Sequence, residues 1–308
     1  MKQQLHYKVW AVLCAVAAIV GLVITGVLAV RSVNTQGKAA LDITNRVCVP
    51  ILLYHHISTD ESLLGEFCIT PTEFENDLIY LKENGYTPIH ISELVEYCYS
   101  NASLPVRPIV ISFDGGFASG YTHAFSLLQK YNVKAVFSIV GEKVNQASAL
   151  PRSAQPAYLR WNELREMTES SLVELANQSY NMNRYIKDAR RGTARQRDEA
   201  LDAYVQALYN DVLLLQQETG DKVGVMPVAF TYPYGIIGKE TVNLISEMGF
   251  AATLSRDEGA NYLSQSPQDL YRLRRTVRGH GAFLGDLLYG IYRTKAVYGN
   301  ADFWTEDD

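Results

Sequence analysis

The chain is poor in cysteine, has no excess of basic charge, and lacks the spaced glycines of nucleotide-binding loops. Four cysteines in 308 residues, none in a C-x-x-C pair, argue against a disulfide-framed domain and against a cysteine-built zinc site. Cys14 sits inside an apolar run, so Cys48, Cys68 and Cys98 allow at most one disulfide and one free thiol. Lys and Arg number 28 against 33 Asp and Glu; three of the 28 are Lys2, Lys8 and Arg31, so beyond Arg31 the ratio is 25 to 33. So acidic a body does not suit a nucleic-acid backbone, which demands clustered Lys and Arg. Gly115-Gly116 precedes a helical pattern without G-x-G-x-x-G spacing or a P-loop lysine, which argues against a phosphate cradle.

Charge is also missing from Trp10–Val30, 21 residues without Asp, Glu, Lys or Arg. As a helix rising about 1.5 Å per residue, this run spans a bilayer core of about 30 Å. The apolar core of a cleavable signal peptide is shorter, about 7–15 residues, and is followed by a small-residue cleavage site. The run therefore reads as an uncleaved signal anchor. Lys2 and Lys8 favour a cytoplasmic N-terminus. The expected layout is a short cytoplasmic segment (1–9), a transmembrane helix (10–30), a polar stalk (31–47), a domain outside the cytoplasm (48–280) and a tail (281–308). The expected location is the cell membrane, crossed once.

What is present beyond the stalk is an ordinary globular composition, 47% hydrophobic and 20% charged. Val49–Ile57 reads as a buried strand ending in His55 and His56, of which period-two alternation lets at most one face a given site. Thr70-Pro71-Thr72-Glu73 is a helix start with capping-box spacing, and Asn84-Gly85 is its stop. Ile109–Phe113 is a strand that breaks into Asp114-Gly115-Gly116, and Tyr121, Phe125 and Leu128 follow at helical spacing. Next come a strand at Val133–Val140, a loop at 142–156, a helix at Trp161–Thr168 and a strand at Leu172–Asn177. A charged insertion (Lys187–Arg197) precedes a long amphipathic helix from Leu201 to Gly220. Strands at Met226–Thr231 and Phe250–Ser255 flank a helix at Glu240–Met248, and Asp269–Val277 is the last strand expected. Strands alternating with helices in this way predict a parallel sheet with right-handed crossovers, in the form of an imperfect (β/α) barrel.

Barrel chemistry is assembled at the C-terminal ends of strands. Those ends are Asp114–Gly116, Asn177–Asn183 and Thr231–Gly235. YHHIS at Tyr54–Ser58, the helix at Glu73–Tyr86, FDGGFASGYTHAFSLLQKYNVKAVFSIVG at Phe113–Gly141, QSYNMN at Gln178–Asn183 and YPYG at Tyr232–Gly235 together resemble the polysaccharide deacetylase (NodB-homology) family. The resemblance covers roughly residues 48–278, with the motifs in order and at matching spacings.

The resemblance implies a distorted (β/α) barrel that acts on N-acetylhexosamine glycans such as peptidoglycan or surface polysaccharide. In that family an aspartate and two histidines hold zinc, cobalt or nickel, and a second aspartate, first in an FDDG motif, is the general base. Carried onto this chain, Asp114 matches the base, Gly115 the metal-binding aspartate, and Gln178 and Asn183 the two histidines. No bound metal is therefore expected. Tyr232, Pro233 and Tyr234 match the substrate-groove turn, with the two tyrosines placed to stack on a sugar. Thr231 stands where many members carry an arginine, and His280 is a poor match to the late histidine that supplies an acid. His55 is the alternative acid. The expected function is a membrane-anchored, glycan-binding pseudoenzyme with Asp114 as a vestigial base. The alternative is an active hydrolase that removes N-acetyl groups through a non-standard metal site.

Overall fold

The computed structural model describes residues 46–293, apart from 152, 156 and 187–189. The expected transmembrane helix at 10–30 and the last part of the tail lie outside the described residues. Among the described residues no helix is long and apolar enough to cross a membrane.

In chain order the elements are β1 (Val47–Val49), β2 (Ile51–Tyr54), β3 (His56–Ile57), β4 (Cys68–Ile69), α1 (Pro71–Glu83), β5 (Thr87–Pro88), α2 (Ile91–Ser100) and β6 (Pro108–Phe113). A π-helical turn at Gly120–Phe125 leads into α3 (Ser126–Tyr131), then β7 (Ala135–Ile139), α4 (Gly141–Ala149), α5 (Trp161–Glu169) and β8 (Val173–Asn177). The chain continues with α6 (Leu201–Val223), β9 (Ala229–Thr231), α7 (Thr241–Glu247), β10 (Ala252–Leu254), β11 (Asn261–Leu263), β12 (Thr276–Val277) and α8 (Leu284–Arg293).

The main sheet runs β10-β9-β8-β7-β6-β2-β12, with β5 also on β6, and every pairing in it is parallel. It curls far enough that one segment reaches both edges. Leu273 exchanges backbone hydrogen bonds with β10, through Thr253 O (2.8 Å) and from Ser255 N (2.9 Å). Three residues later Thr276 and Val277 pair with β2. The expected distorted barrel is thus an incomplete one, drawn together by a single stretch of chain.

Alternation along the strands sorts side chains into two cores. On β6, Ile109, Ile111 and Phe113 pack with Phe74 and Leu78 of α1 and Leu128 of α3. Val110 lies inside the barrel with Ile51, Val136, Ala176, Ala229 and Ala252. The same parity carries the inner face upward to Asp114 on β6, His55 after β2, Val140 after β7 and Gln178 after β8. Phe230 and Tyr232 fall on the opposite parity and pack outward, against Tyr204 and Leu208 of α6 and Ile245 of α7.

Capping sets the start of α1 as expected. Thr70 Oγ1 accepts from Glu73 N (3.1 Å) while Thr70 N donates to Glu73 Oε2 (2.8 Å). Other expectations need correction. The loop expected at 142–156 contains α4, whose Val144 and Ala147 are buried three residues apart on too short a segment to stand out by period. Helix α6 runs past Gly220 to a left-handed cap at Gly224, because Thr219 and Val223 still bury their side chains. The strand expected at Asp269–Val277 is a strand only at its end, Thr276–Val277. Its start is a tight turn in which the Asp269 carboxylate accepts from Ser264 N (2.6 Å) and Ser264 Oγ (2.7 Å). Val47, assigned to the stalk, pairs with Leu263 across an antiparallel ladder. The start of the tail forms α8, which buries Leu284, Leu288 and Ile291. Cys48, Cys68 and Cys98 are all free thiols.

Candidate active-site cleft

At the C-terminal end of the sheet a cleft of about 500 Å³ opens between the strand ends. Asp114, Gly115, Gln178 and Asn183 all line it, as do Tyr234 and His55. The sequence motifs therefore converge in space, although 69 positions separate Asp114 from Asn183.

Asp114 leaves β6 with its backbone N–H donated to Tyr54 O (3.0 Å). Its carboxylate meets Arg275 in a two-pronged ion pair, Nη1 to Oδ1 at 2.6 Å and Nη2 to Oδ2 at 2.8 Å. The pair is nearly sealed, with side-chain exposures of 1% for Arg275 and 8% for Asp114. Arg275 is held in turn by donation from Nε to Ser255 O (2.7 Å). Burial by itself would raise the Asp114 carboxyl, but the guanidinium outweighs it and holds the group below the usual carboxylate range. The guanidinium beside Asp114 thus comes from position 275 and not from position 231, where the resemblance places an arginine in many members. Thr231 Oγ1 instead meets Ser138 Oγ at 2.8 Å inside the barrel.

Both ends of the Gln178 amide are engaged. Its Nε2 donates to Asp114 Oδ2 (3.2 Å) and its Oε1 accepts from Gly115 N (2.9 Å). These partners also fix the amide's orientation, since a backbone N–H can only donate and a carboxylate can only accept. Gly115 adopts φ +89°, a left-handed conformation open to glycine, and a Cβ there would lie 2.6 Å from the Phe117 ring.

Aromatic side chains form much of the wall. Phe117 packs on His56 with centroids 3.6 Å apart and stacks on Tyr158 at 5.2 Å, and His55 meets Phe67 edge-on at 4.8 Å. Both histidines line the cleft, contrary to the expectation that only one could. The period-two rule fails because His55 is the joint between β2 and β3 rather than the interior of one strand. Burial lowers the pKa of both rings, with Asp114 partly opposing this at His55. His55 Nδ1 is buried without a hydrogen-bond partner.

Two of the three expected sugar-contacting residues are corrected by the fold. Tyr232 has no exposed surface and Pro233 is buried, so neither can stack on a ligand. The reason is parity, which turns Tyr232 toward α6 and α7, where burial pushes its phenol up to about 12. Tyr234 keeps 48% of its surface exposed and meets Tyr185 edge-on at 5.9 Å. His280 lies away from the cleft, with Nδ1 2.9 Å from Glu73 Oε2.

The residues present do not suit a divalent metal. Gly115 has no side-chain donor atom, the Gln178 oxygen is committed to a backbone N–H, and Asp114 is neutralised by Arg275. Among the described residues no group of three or more His, Cys, Asp or Glu is placed to hold an ion.

Residues 101–253 match the polysaccharide deacetylase family model. The poly-beta-1,6-N-acetyl-D-glucosamine N-deacetylase of Escherichia coli (strain K12) is 25% identical over 230 residues, 69% of this chain and 34% of that protein. The protein of the same name from Staphylococcus epidermidis is 20% identical over 71% of each chain. This chain thus spans about a third of the length of the E. coli relative. Among solved structures, a de-N-acetylase from Aggregatibacter actinomycetemcomitans superposes with a TM-score of 0.67 at 20% identity, covering 79% of this chain and 99% of that one. The deacetylase PplD from Streptococcus pyogenes gives 0.64 at 19%, covering 80% and 99%. At such identities the structural likeness speaks for the fold.

These findings support membership of the polysaccharide deacetylase family.

In a (β/α) barrel, functional residues gather at the C-terminal strand ends, where this cleft lies. The sequence reading missed Arg275 and the walls built by Phe67, Phe117 and Tyr158. The arginine carries no local signal, since it lies just before β12 and only the pairing of that strand with β2 brings it to Asp114. The aromatic walls come from loops, which carry no period.

Proposed function

We propose that this chain is a glycan-binding member of the family in which metal-dependent N-deacetylation has been lost. The observation that supports this reading is the network Arg275–Asp114–Gln178–Gly115, in which internal hydrogen bonds engage the residues that the resemblance matches to the base and to two of the three metal ligands. A bound metal lowers the pKa of water from about 15.7 to about 7 and polarises the amide carbonyl. Without it, a carboxylate held below its ordinary pKa by a guanidinium is a poor base for water. The aromatic walls and the exposed Tyr234 favour retained sugar binding, since flat apolar rings match the faces of pyranoses.

Its ligand is proposed to be an N-acetylhexosamine glycan of the cell wall or surface, by analogy with the relatives' printed substrate. The chain is further proposed to sit at the cell membrane through residues 10–30, with the N-terminus cytoplasmic. Purified protein incubated with N-acetylglucosamine oligomers is expected to bind them, release no acetate and retain no stoichiometric zinc, cobalt or nickel. Acetate release that a chelator abolishes would overturn the proposal. Such a result would favour the alternative, a working hydrolase, for which the unpartnered His55 Nδ1 beside Asp114 is the supporting feature.

A further inference from the structure

The cleft carries a charge opposite to that of the chain. The whole protein has a formal charge of −5. Among the described residues lining the cleft, Asp114 is the sole acid, and Arg275 cancels it. Lys143 and Arg256 also line it, while His55 and His56 are held toward their neutral forms by burial. A cleft that turned over neutral sugar with a divalent cation would gain from acids; this one presents cations, which repel such an ion.

The two cations are placed where a sugar would stack. His56, Phe117 and Tyr158 form one continuous stack, and Lys143 Nζ lies 5.7 Å from the Tyr158 ring centre. His55 and Phe67 form a second aromatic pair, with the Arg256 guanidinium 4.9 Å above Phe67. Each aromatic surface thus ends in a positive group. Arg256 shares its charge with Glu66 at 3.0 Å, but that acid is 62% exposed, so solvent screens the pair.

We propose that the ligand of this cleft is an anionic glycan, whose sugar faces pack on Tyr158 and Phe67 while its carboxylate or phosphate groups pair with Lys143 and Arg256. This rests on the glycan-binding reading above and narrows it to a class of sugar. Charge-assisted hydrogen bonds are about twice as strong as neutral ones, so a charged substituent gives these two residues selectivity that a neutral N-acetylglucosamine chain cannot draw on.

The test compares three probes by calorimetry on the purified chain in detergent. They are a neutral N-acetylglucosamine oligomer, an oligomer of equal length carrying lactyl carboxylates, and a phosphodiester-linked glycan. The expected result is that one or both anionic probes bind at least about tenfold more tightly than the neutral one at low salt, with the gap closing as salt rises. Which anionic probe wins distinguishes carboxylate from phosphate. Lys143→Gln and Arg256→Gln, both at solvent-reaching positions, are each expected to weaken the anionic probe about fivefold, and by more than they weaken the neutral one. Equal or stronger binding of the neutral oligomer overturns the anionic preference and leaves glycan binding standing. Binding of no probe overturns both.

Discussion

Arg275 is the residue on which the cleft depends. It is fully buried and spends three of its five N–H donors on Asp114 and Ser255. Removing one partner of a buried ion pair strands the other, at a cost of about 3–5 kcal/mol. Arg275→Met is therefore expected to lower stability in urea unfolding by that order. Its stability should also fall as pH rises, because Asp114 without the guanidinium is a buried acid that favours its protonated form. Arg275→Met combined with Asp114→Asn should recover most of the loss; equal instability of single and double variants would show that the pair is not the cause. Gly115 bears on a second outcome. Restoring ligands by Gly115→Asp, Gln178→His and Asn183→His meets two obstacles, φ +89° and a Phe117 ring atom 2.6 Å from the new Cβ. The triple variant is expected to take up zinc only weakly, and the addition of Phe117→Ala to improve uptake at least about tenfold by removing the ring clash, while the backbone strain of about 1–3 kcal/mol at φ +89° remains. Strong zinc binding by the triple variant alone would show that Phe117 moves aside freely.

Strand β8 bears polar side chains at both ends of its inner face. At the upper end Gln178 closes the Asp114 network. At the lower end Glu174 accepts from Ser92 Oγ (2.7 Å) and Ser92 N (3.1 Å), while its Oε1 is buried without a partner. Burial pushes this carboxyl up to about 7, from an ordinary value of 4.5. An acid whose pKa is higher folded than unfolded favours the fold in its protonated form, so its contribution is full below about 4.5 and is lost as pH rises through 7. Glu174→Gln is therefore expected to match the wild type at pH near 4.5 and to exceed it at pH 8 by on the order of 1–3 kcal/mol. Urea unfolding at the two pH values measures this, and a variant no more stable at pH 8 would contradict it. Helix α8 shows how an element hides in sequence. Its Leu284, Leu288 and Ile291 recur at helical spacing, and Phe283 just before it meets Tyr80 edge-on at 5.5 Å, yet ten residues before an aromatic, polar end read as tail.

At the scale of the whole molecule, charge is distributed unevenly, with acid over the body and cation in the cleft. The N-terminal run is the other molecule-wide feature. The full chain expressed in its host is expected to stay in the membrane pellet after alkaline carbonate extraction and to leave it in detergent. Release by carbonate would exclude a spanning segment. The order of strands, most helices and the family resemblance were legible locally, because buried strands, caps and glycine stops act over a few residues. Asp114, Gly115 and Gln178, which line the cleft, follow directly on readable strand ends, and Asn183 and Tyr234 lie six and three positions beyond theirs. Arg275, Phe67 and Tyr158 were not legible as cleft residues, because long loops and non-local pairings bring them there.

Strand β6 and the residues after it, Pro108–Gly116, illustrate the division. A run of six apolar or small residues before an acid and two glycines suffices to end a buried strand at Asp114, whatever surrounds it. Amino-acid order likewise settled that Gly115 offers no ligand, since that is covalent fact. Whether Asp114 would be a free base or a locked one depended on a guanidinium 161 positions away, and whether Tyr232 would meet sugar depended on which face of a curled sheet its parity selected. Both are outcomes of register and closure, which arise only when distant strands pair.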